Sequence, residues 1–321
     1  MSTPPFTNMP DGVGVFAPPD SPIPVLVAEA RTDGTGEADV TASATGEVTT
    51  APGGSRGDVL LVPGFTGSKE DFIAILEPLA GFGWRVAAMD LPGQGGAPAL
   101  GPRGSHTART LADSVAAVAE WFAPGRPVHL VGHSMGGLVT REIVLSDAAS
   151  LASWTAMSSG PASIPAHGHT ALLQLEAALA SAPIEAVWAT KEKMDRAGGW
   201  DPPSQEVADF CARRFLTNDP AALSDCAEIL MTAPDLTEQV AAALDASGLP
   251  AAVVTGSLDD AWLPPTQEAM AERLCVPWHT LPGLGHNPAT EDPQMTATVL
   301  NDIFTTAVAA RPEVSPAADA G

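Results

Sequence analysis

A chain of 321 residues with 45% hydrophobic side chains is long enough to bury one large core or two modest ones. Its 38 acidic residues against 15 basic ones give a formal net charge of −23, a field that repels phosphate backbones and anionic lipid surfaces. The reading is therefore no nucleic-acid partner and no membrane docking, and the absence of tyrosine removes every mechanism built on a catalytic phenol.

Residues 1 to about 22 are proline-rich and polar, and residues 31–57 are mostly Gly, Thr and Ala, too poor in large apolar groups to offset the entropy of ordering. Between them VLVAEA reads as a strand, and ADVTASA and GEVTT read as strand pieces of a hairpin with a long tip. Residues 1–57 thus form an N-terminal segment with the first strands and a mobile polar stretch, and residues 311–321 a disordered tail.

From Asp58 short β-rich runs alternate with helical periods. DVLLVPG is a strand, KEDFIAILEPLAGF a helix, WRVAAMD a strand. Leu111, Val115, Val118 and Phe122 share one helix face behind the capping candidates Thr107 and Thr110. PVHLVG, LASWTAMSS, AAVVTG and PWHTLPG follow as strands, separated by the helices GGLVTREIVLSDA and PPTQEAMAERL. Met295, Val299 and Ile303 mark a last helix behind Thr290 and Pro293. Such alternation implies right-handed βαβ units and a mostly parallel sheet, with chemistry where strands end.

The stretch 161–250 is about ninety residues, far too long for a loop of this architecture. It holds five helical segments bounded by Pro, Gly or Asn, and reads as a helical cap inserted after the sixth strand. The core is then 58–160 plus 251–310. The N-terminus has neither the basic nor the apolar part of a signal peptide, and no apolar run reaches eighteen residues, so the expected location is cytoplasmic. Cys211, Cys226 and Cys275 fit no disulfide framework or zinc spacing and read as small buried or half-buried side chains.

Gly132-His133-Ser134-Met135-Gly136 matches the G-x-S-x-G turn, with a strand before it and a helix after it. That setting places Ser134 on a sharp, strained, exposed turn. A serine hydroxyl is a poor nucleophile near neutral pH and needs a base, which in turn needs an orienting acid. GLGHNP puts His286 in a loop after one strand. GSLDDAWLP puts Asp259 and Asp260 in a loop after another, and the spacing from Gly256 favours Asp259. His129 reads as a core histidine and His133 as the variable residue of the turn. His106, His167, His169 and His279 show no partner pattern, and Asp90 reads as a brace for the loop after its strand.

PGFTGS (63–68), DLPGQG (90–95), GHSMGG (132–137) and the GSLDD/GLGHNP pair occur in order and spacing that resemble the α/β-hydrolase superfamily, in its capped serine-hydrolase, esterase-like branch, from about Asp58 to Val308. The resemblance implies an eight-stranded, mostly parallel sheet flanked by helices. It also implies that the backbone N–H groups of Phe65 and Met135 form an oxyanion hole, although many members carry His-Gly where this chain has Pro63-Gly64. The implied activity is cofactor-free hydrolysis of carboxylic esters or similar small acyl compounds through an acyl-enzyme on Ser134, with His286 as base and Asp259 as its orienting acid. C–C bond hydrolysis, haloperoxidase-like perhydrolysis, acyl transfer and aminopeptidase action share this triad. A non-catalytic, ligand-binding member of the fold is the reading from another class. Trp188, Met194, Trp200, Phe210, Phe215 and Met231 are candidates for an apolar acyl pocket, although residues of this kind at helical spacing are mostly core. No nucleotide, nicotinamide or zinc motif occurs, and the sequence is silent on oligomeric state.

Overall fold

The computed structural model describes residues 8–18, 23–29 and 55–310. One eight-stranded sheet is built from β1 (Val13–Phe16), β2 (Val25–Ala28), β3 (Asp58–Val62), β4 (Arg85–Met89), β5 (Val128–His133), β6 (Leu151–Met157), β7 (Ala251–Gly256) and β8 (Trp278–Leu281). Their spatial order is β1-β2-β4-β3-β5-β6-β7-β8. β2 runs antiparallel to both of its neighbours, and every pair from β4 to β8 is parallel.

β3, β4, β5 and β6 are buried at every residue, as a parallel strand must be when helices cover both faces. The period of two then divides the side chains: Leu60 and Val62 join one core, Val59 and Leu61 the other. The first core includes the apolar faces of α2 (Ala108–Phe122), α3 (Met135–Asp147) and α9 (Pro264–Leu274); the second includes α1 (Ile73–Gly81), the short α10 (Pro288–Glu291) through Ala289, and α11 (Pro293–Ala310). A 3-10 turn, Lys69–Phe72, leads into α1, so the single helix expected there is two pieces. α2 begins as its sequence predicts, with Thr107 accepting from Thr110 N–H at 3.2 Å and Thr107 N–H donating to Thr110 Oγ1 at 2.9 Å.

Between β6 and β7 lie α4 (Ala166–Ser181), α5 (Ile184–Ala197), α6 (Gln205–Leu216), α7 (Pro220–Thr232) and α8 (Thr237–Ser247). α6 starts at the cap residue Ser204, and α7 starts at Asp219 with Pro220 in its first turn. α4 packs on α7 and α5 on α6, whereas α8 packs on α3 and α9 beside the sheet. Val187, Phe215 and Leu223 form a small core of the inserted helices that Phe65, from the loop after β3, joins.

The N-terminal reading needs one correction. VGVF, assigned to a proline-rich polar segment, is strand β1, paired along β2 with Val15 60% exposed at the sheet edge. Four residues at an edge carry too little alternation to stand out from flanking Pro and Gly. The ADVTASA and GEVTT pieces, and the tail 311–321, lie outside the described residues.

Candidate active site

β5 ends at His133, and Ser134 follows with φ 55° and ψ −124° before α3 begins at Met135. A positive φ is a strained setting for a residue with a Cβ. Neighbouring glycines permit it, because a methyl on Gly132 would meet Gly136 O at 2.5 Å and one on Gly136 would meet Val62 O at 2.6 Å. Ser134 N–H donates to Met157 O of β6 at 2.9 Å, and Gly137 N–H donates to Ser134 O at 2.9 Å, which pins the turn on both sides.

The loops after β7 and β8 carry the partners, tied together by Leu258 N–H donating to Leu284 O at 2.7 Å. His286 Nδ1–H donates to Asp259 Oδ1 at 2.9 Å, and Ser134 Oγ–H donates to His286 Nε2 at 2.9 Å. An ionised carboxylate only accepts, so the proton sits on Nδ1 and the Nε2 lone pair faces the hydroxyl. Asp259 is buried and Asp260 exposed, which places the first and not the second against His286.

Burial pushes the Asp259 carboxyl up, but the His286 hydrogen bond and charge, the Ala261 N–H at 3.0 Å and the Gln267 amide at 2.9 Å outweigh it and hold the group below its ordinary range. Gln267 Nε2 also donates to Trp262 O at 2.6 Å, while its Oε1 accepts from Thr255 Oγ1 at 2.8 Å. The hydroxyl thereby fixes which face of the amide meets Asp259. Sequence reasoning missed Gln267, although a signal exists: it shares the buried face of α9 with Met270, Ala271 and Leu274, one polar residue on an apolar stripe.

His133 was also underrated. Its Nε2–H donates to His286 O at 2.8 Å, and its ring lies 5.2 Å from the His286 ring. Burial, with the nearby His286 charge, lowers its pKa to about 4, so it stays neutral beside the triad. Asp90 accepts from Lys69 N–H at 2.8 Å, Lys69 Nζ at 2.9 Å and Gly96 N–H at 2.9 Å, joining the loop after β4 to the 3-10 turn beyond Phe65. His129 bonds Ser153 at 2.8 Å between Trp84 and Phe304. His106, given no partner from sequence, donates from Nδ1 to Asp225 Oδ2 of α7 at 3.0 Å and accepts from Leu100 N–H at 2.9 Å, which ties the inserted helices to the loop before α2. Cys226 is buried with its thiol pushed up to about 12, while Cys275, expected to be buried or half-buried, is exposed. It caps α9 in a left-handed conformation that turns its side chain outward.

Gly64 lies against the nucleophile: a methyl there would sit 2.8 Å from Ser134 Cβ and 3.1 Å from Oγ. A cavity of about 550 Å³ opens beside Thr66, lined among others by Trp188, Met194, Trp200, Arg214 and Phe215. A larger one, about 840 Å³, lies at the opposite ends of β6 and β7 among α8, α9 and α11, and none of Ser134, Asp259 and His286 lines either cavity.

A hydrogen-bonded serine, histidine and carboxylate at the C-terminal ends of a parallel sheet defines a serine hydrolase. The chain belongs to the alpha/beta hydrolase family, whose model matches residues 59–299. Similar solved structures include a carboxylesterase from the thaumarchaeon Nitrososphaera gargenis, at 17% identity and TM-score 0.67, covering 92% of this chain and 99% of that one. A thermophilic esterase from Thermogutta terrifontis is similar at 21% identity and TM-score 0.64, covering 92% and 98%. An enol-lactonase from Burkholderia xenovorans LB400 is similar at 16% identity and TM-score 0.63, covering 88% and 97%. No curated protein matches the chain. Among the described residues no helix is long and apolar enough to cross a membrane.

Proposed function

We propose that the chain hydrolyses carboxylic esters of small, apolar acyl groups through an acyl-enzyme on Ser134. The observation that carries this reading is the unbroken hydrogen-bonded path from Ser134 Oγ through His286 to Asp259. His286 Nε2 takes the hydroxyl proton as Ser134 Oγ attacks the acyl carbon, and Asp259 stabilises the imidazolium that forms. His286 then returns the proton to the leaving alcohol. In the second half, water delivers a proton to the same nitrogen and attacks the acyl carbon, releasing the acid and restoring Ser134.

The tetrahedral oxyanion is held by the N–H groups of Phe65 and Met135. Met135 is the first residue of α3, where an N–H has no intrahelical acceptor and the helix dipole favours negative charge. The close approach of Gly64 to Ser134 supports Phe65 as the other donor. Nucleophile, base and oxyanion donors all come from the chain, so the proposed reaction needs no cofactor. The inserted stretch from α5 to α6 supplies the acyl wall through the cavity lined by Trp188, Trp200 and Phe215. The family resemblances, to a carboxylesterase, an esterase and an enol-lactonase, all involve acyl–oxygen bonds. A cytoplasmic location completes the proposal, supported by three free thiols.

The test is labelling by a fluorophosphonate probe together with turnover of p-nitrophenyl esters. The wild type is expected to do both, and Ser134→Ala, folded by circular dichroism, neither, with turnover down by several orders of magnitude. Labelling that persists in the folded variant would move the nucleophile elsewhere.

A further inference from the structure

Arg214, in the last turn of α6, packs against Asp71 of the 3-10 turn after β3, its Nη1 donating to Asp71 Oδ1 at 2.5 Å. Both side chains are largely buried, 19% and 16% exposed. The other carboxylate oxygen, Asp71 Oδ2, accepts from Ser68 N–H at 3.0 Å. One carboxylate thus joins a guanidinium of the inserted helices to the backbone three residues beyond Phe65. Burial disfavours the guanidinium charge, but Asp71 outweighs it and holds the group above its ordinary value. Phe210, one turn earlier in α6, has its ring 5.3 Å from the same guanidinium.

The backbone held in this way is strained. Residues Gly64 to Gly67 form a turn closed by Gly67 N–H donating to Gly64 O at 3.1 Å, and Thr66 inside it takes φ 56°. A β-branched residue in the left-handed region persists only where its surroundings over-determine it. Two restraints act on this turn from opposite sides. The Phe65 side chain enters the small core of Val187, Phe215 and Leu223. Asp71 takes the Ser68 N–H and is packed on the turn itself, since a methyl on Gly67 would meet its Oδ2 at 2.6 Å. The inserted helices supply the first restraint outright and, through Arg214, orient the second. Thr66, Arg214 and Phe215 line the same cavity of about 550 Å³.

We propose that Arg214 is a positioning residue for the oxyanion hole: through Asp71 it holds the turn after β3 in the strained form that aims Phe65 N–H at the oxyanion. The inference rests on the assignment of Phe65 as an oxyanion donor and extends it, because α6 then contributes to transition-state stabilisation as well as to the acyl wall. An interaction of this kind acts on the tetrahedral state and not on the bound ester, so it raises kcat and leaves KM in place. A brace for the inserted helices alone would change Tm and neither kinetic constant.

The test compares Arg214→Gln, Asp71→Asn and the double variant with the wild type, folding being checked by circular dichroism. Each is assayed on p-nitrophenyl acetate and against a phenylboronic acid, whose adduct on serine is tetrahedral and anionic. In either single variant kcat is expected to fall about tenfold to a hundredfold, less than outright loss of a donor, with KM within about twofold. The boronic acid Ki should rise by the factor that kcat/KM loses. Because Arg214 acts through Asp71, the double variant should lose no more than Asp71→Asn alone. Asp71→Asn keeps side-chain volume, so it carries the test if Arg214→Gln does not fold. A crystal structure of the wild-type adduct is expected to place a boronate oxygen within hydrogen-bond range of Phe65 N. An adduct absent from Ser134, or lacking that contact, would overturn the oxyanion assignment and this inference with it. Where the contact is present, an unchanged kcat and Ki in folded Asp71→Asn, or losses that multiply in the double variant, would overturn the inference alone.

Discussion

Asp259 and Asp260 are chain neighbours with opposite surroundings. Asp259 is enclosed by His286, Ala261 N–H and Gln267, whereas Asp260 faces solvent. Asp259→Asn should lower kcat by roughly 10³ to 10⁴ through loss of tautomer control, while Asp260→Asn leaves it nearly unchanged; a chromogenic ester assay that ranks them the other way moves the acid. His133 makes a second residue-level case. With its pKa lowered to about 4 in the fold against an ordinary 6.5, the unfolded chain takes up a proton that the folded chain refuses. Stability from this group is therefore complete above pH 6.5 and declines as pH falls from 6.5 towards 4, by roughly 3 kcal/mol. Urea unfolding at stepped pH should show a shallower decline over that window in His133→Gln. An identical decline would assign the acid sensitivity to other groups.

At the scale of elements, the inserted helices are anchored where they meet the core. Asp225 of α7 takes the His106 imidazole and accepts from Gly104 N–H at 2.8 Å, and Arg214 of α6 pairs with Asp71 at 2.5 Å. Phe65 links the loop after β3 to their small core. Trp188, Trp200 and Phe215 are thereby held as one wall of a cavity that reaches Thr66, next to a proposed oxyanion donor. Each acyl methylene buried there contributes about 0.8 kcal/mol, roughly a fourfold gain, until the wall is reached. Across a series of p-nitrophenyl esters, kcat/KM should climb over short acyl chains and then fall. Trp200→Ala should move the maximum to longer chains while keeping turnover of the acetate. A profile that is flat in both proteins would mean that this cavity does not receive the acyl chain.

The whole molecule carries a net charge of −23. Such a field lowers the local concentration of anionic substrates and is screened within about 10 Å at 0.1 M salt. For two esters of equal length, one neutral and one ending in a carboxylate, kcat/KM of the anionic ester should rise several-fold between 10 mM and 300 mM salt while the neutral ester changes little. Equal salt responses would show that the charge lies away from the approach to Ser134.

The pattern of alternating strands and helices from Asp58 onward was legible in the chain because burial on both faces demands continuous apolar runs, and one-sided packing of helices demands a period of 3.6. The serine turn was legible too, since Gly132 and Gly136 are required by close backbone approaches that any sequence adopting that turn must respect. Strand β1 was not, being four edge residues among prolines. Nor were the partnerships that cross the fold: Gln267 with Asp259, His133 with the His286 carbonyl, His106 with Asp225 across 119 residues of chain. A polar side chain in sequence does not say whether it will meet water or a buried acceptor. Local propensity and periodicity act over a few residues and so can be read along the chain, whereas the satisfaction of buried donors and acceptors is decided only when distant segments are brought into contact.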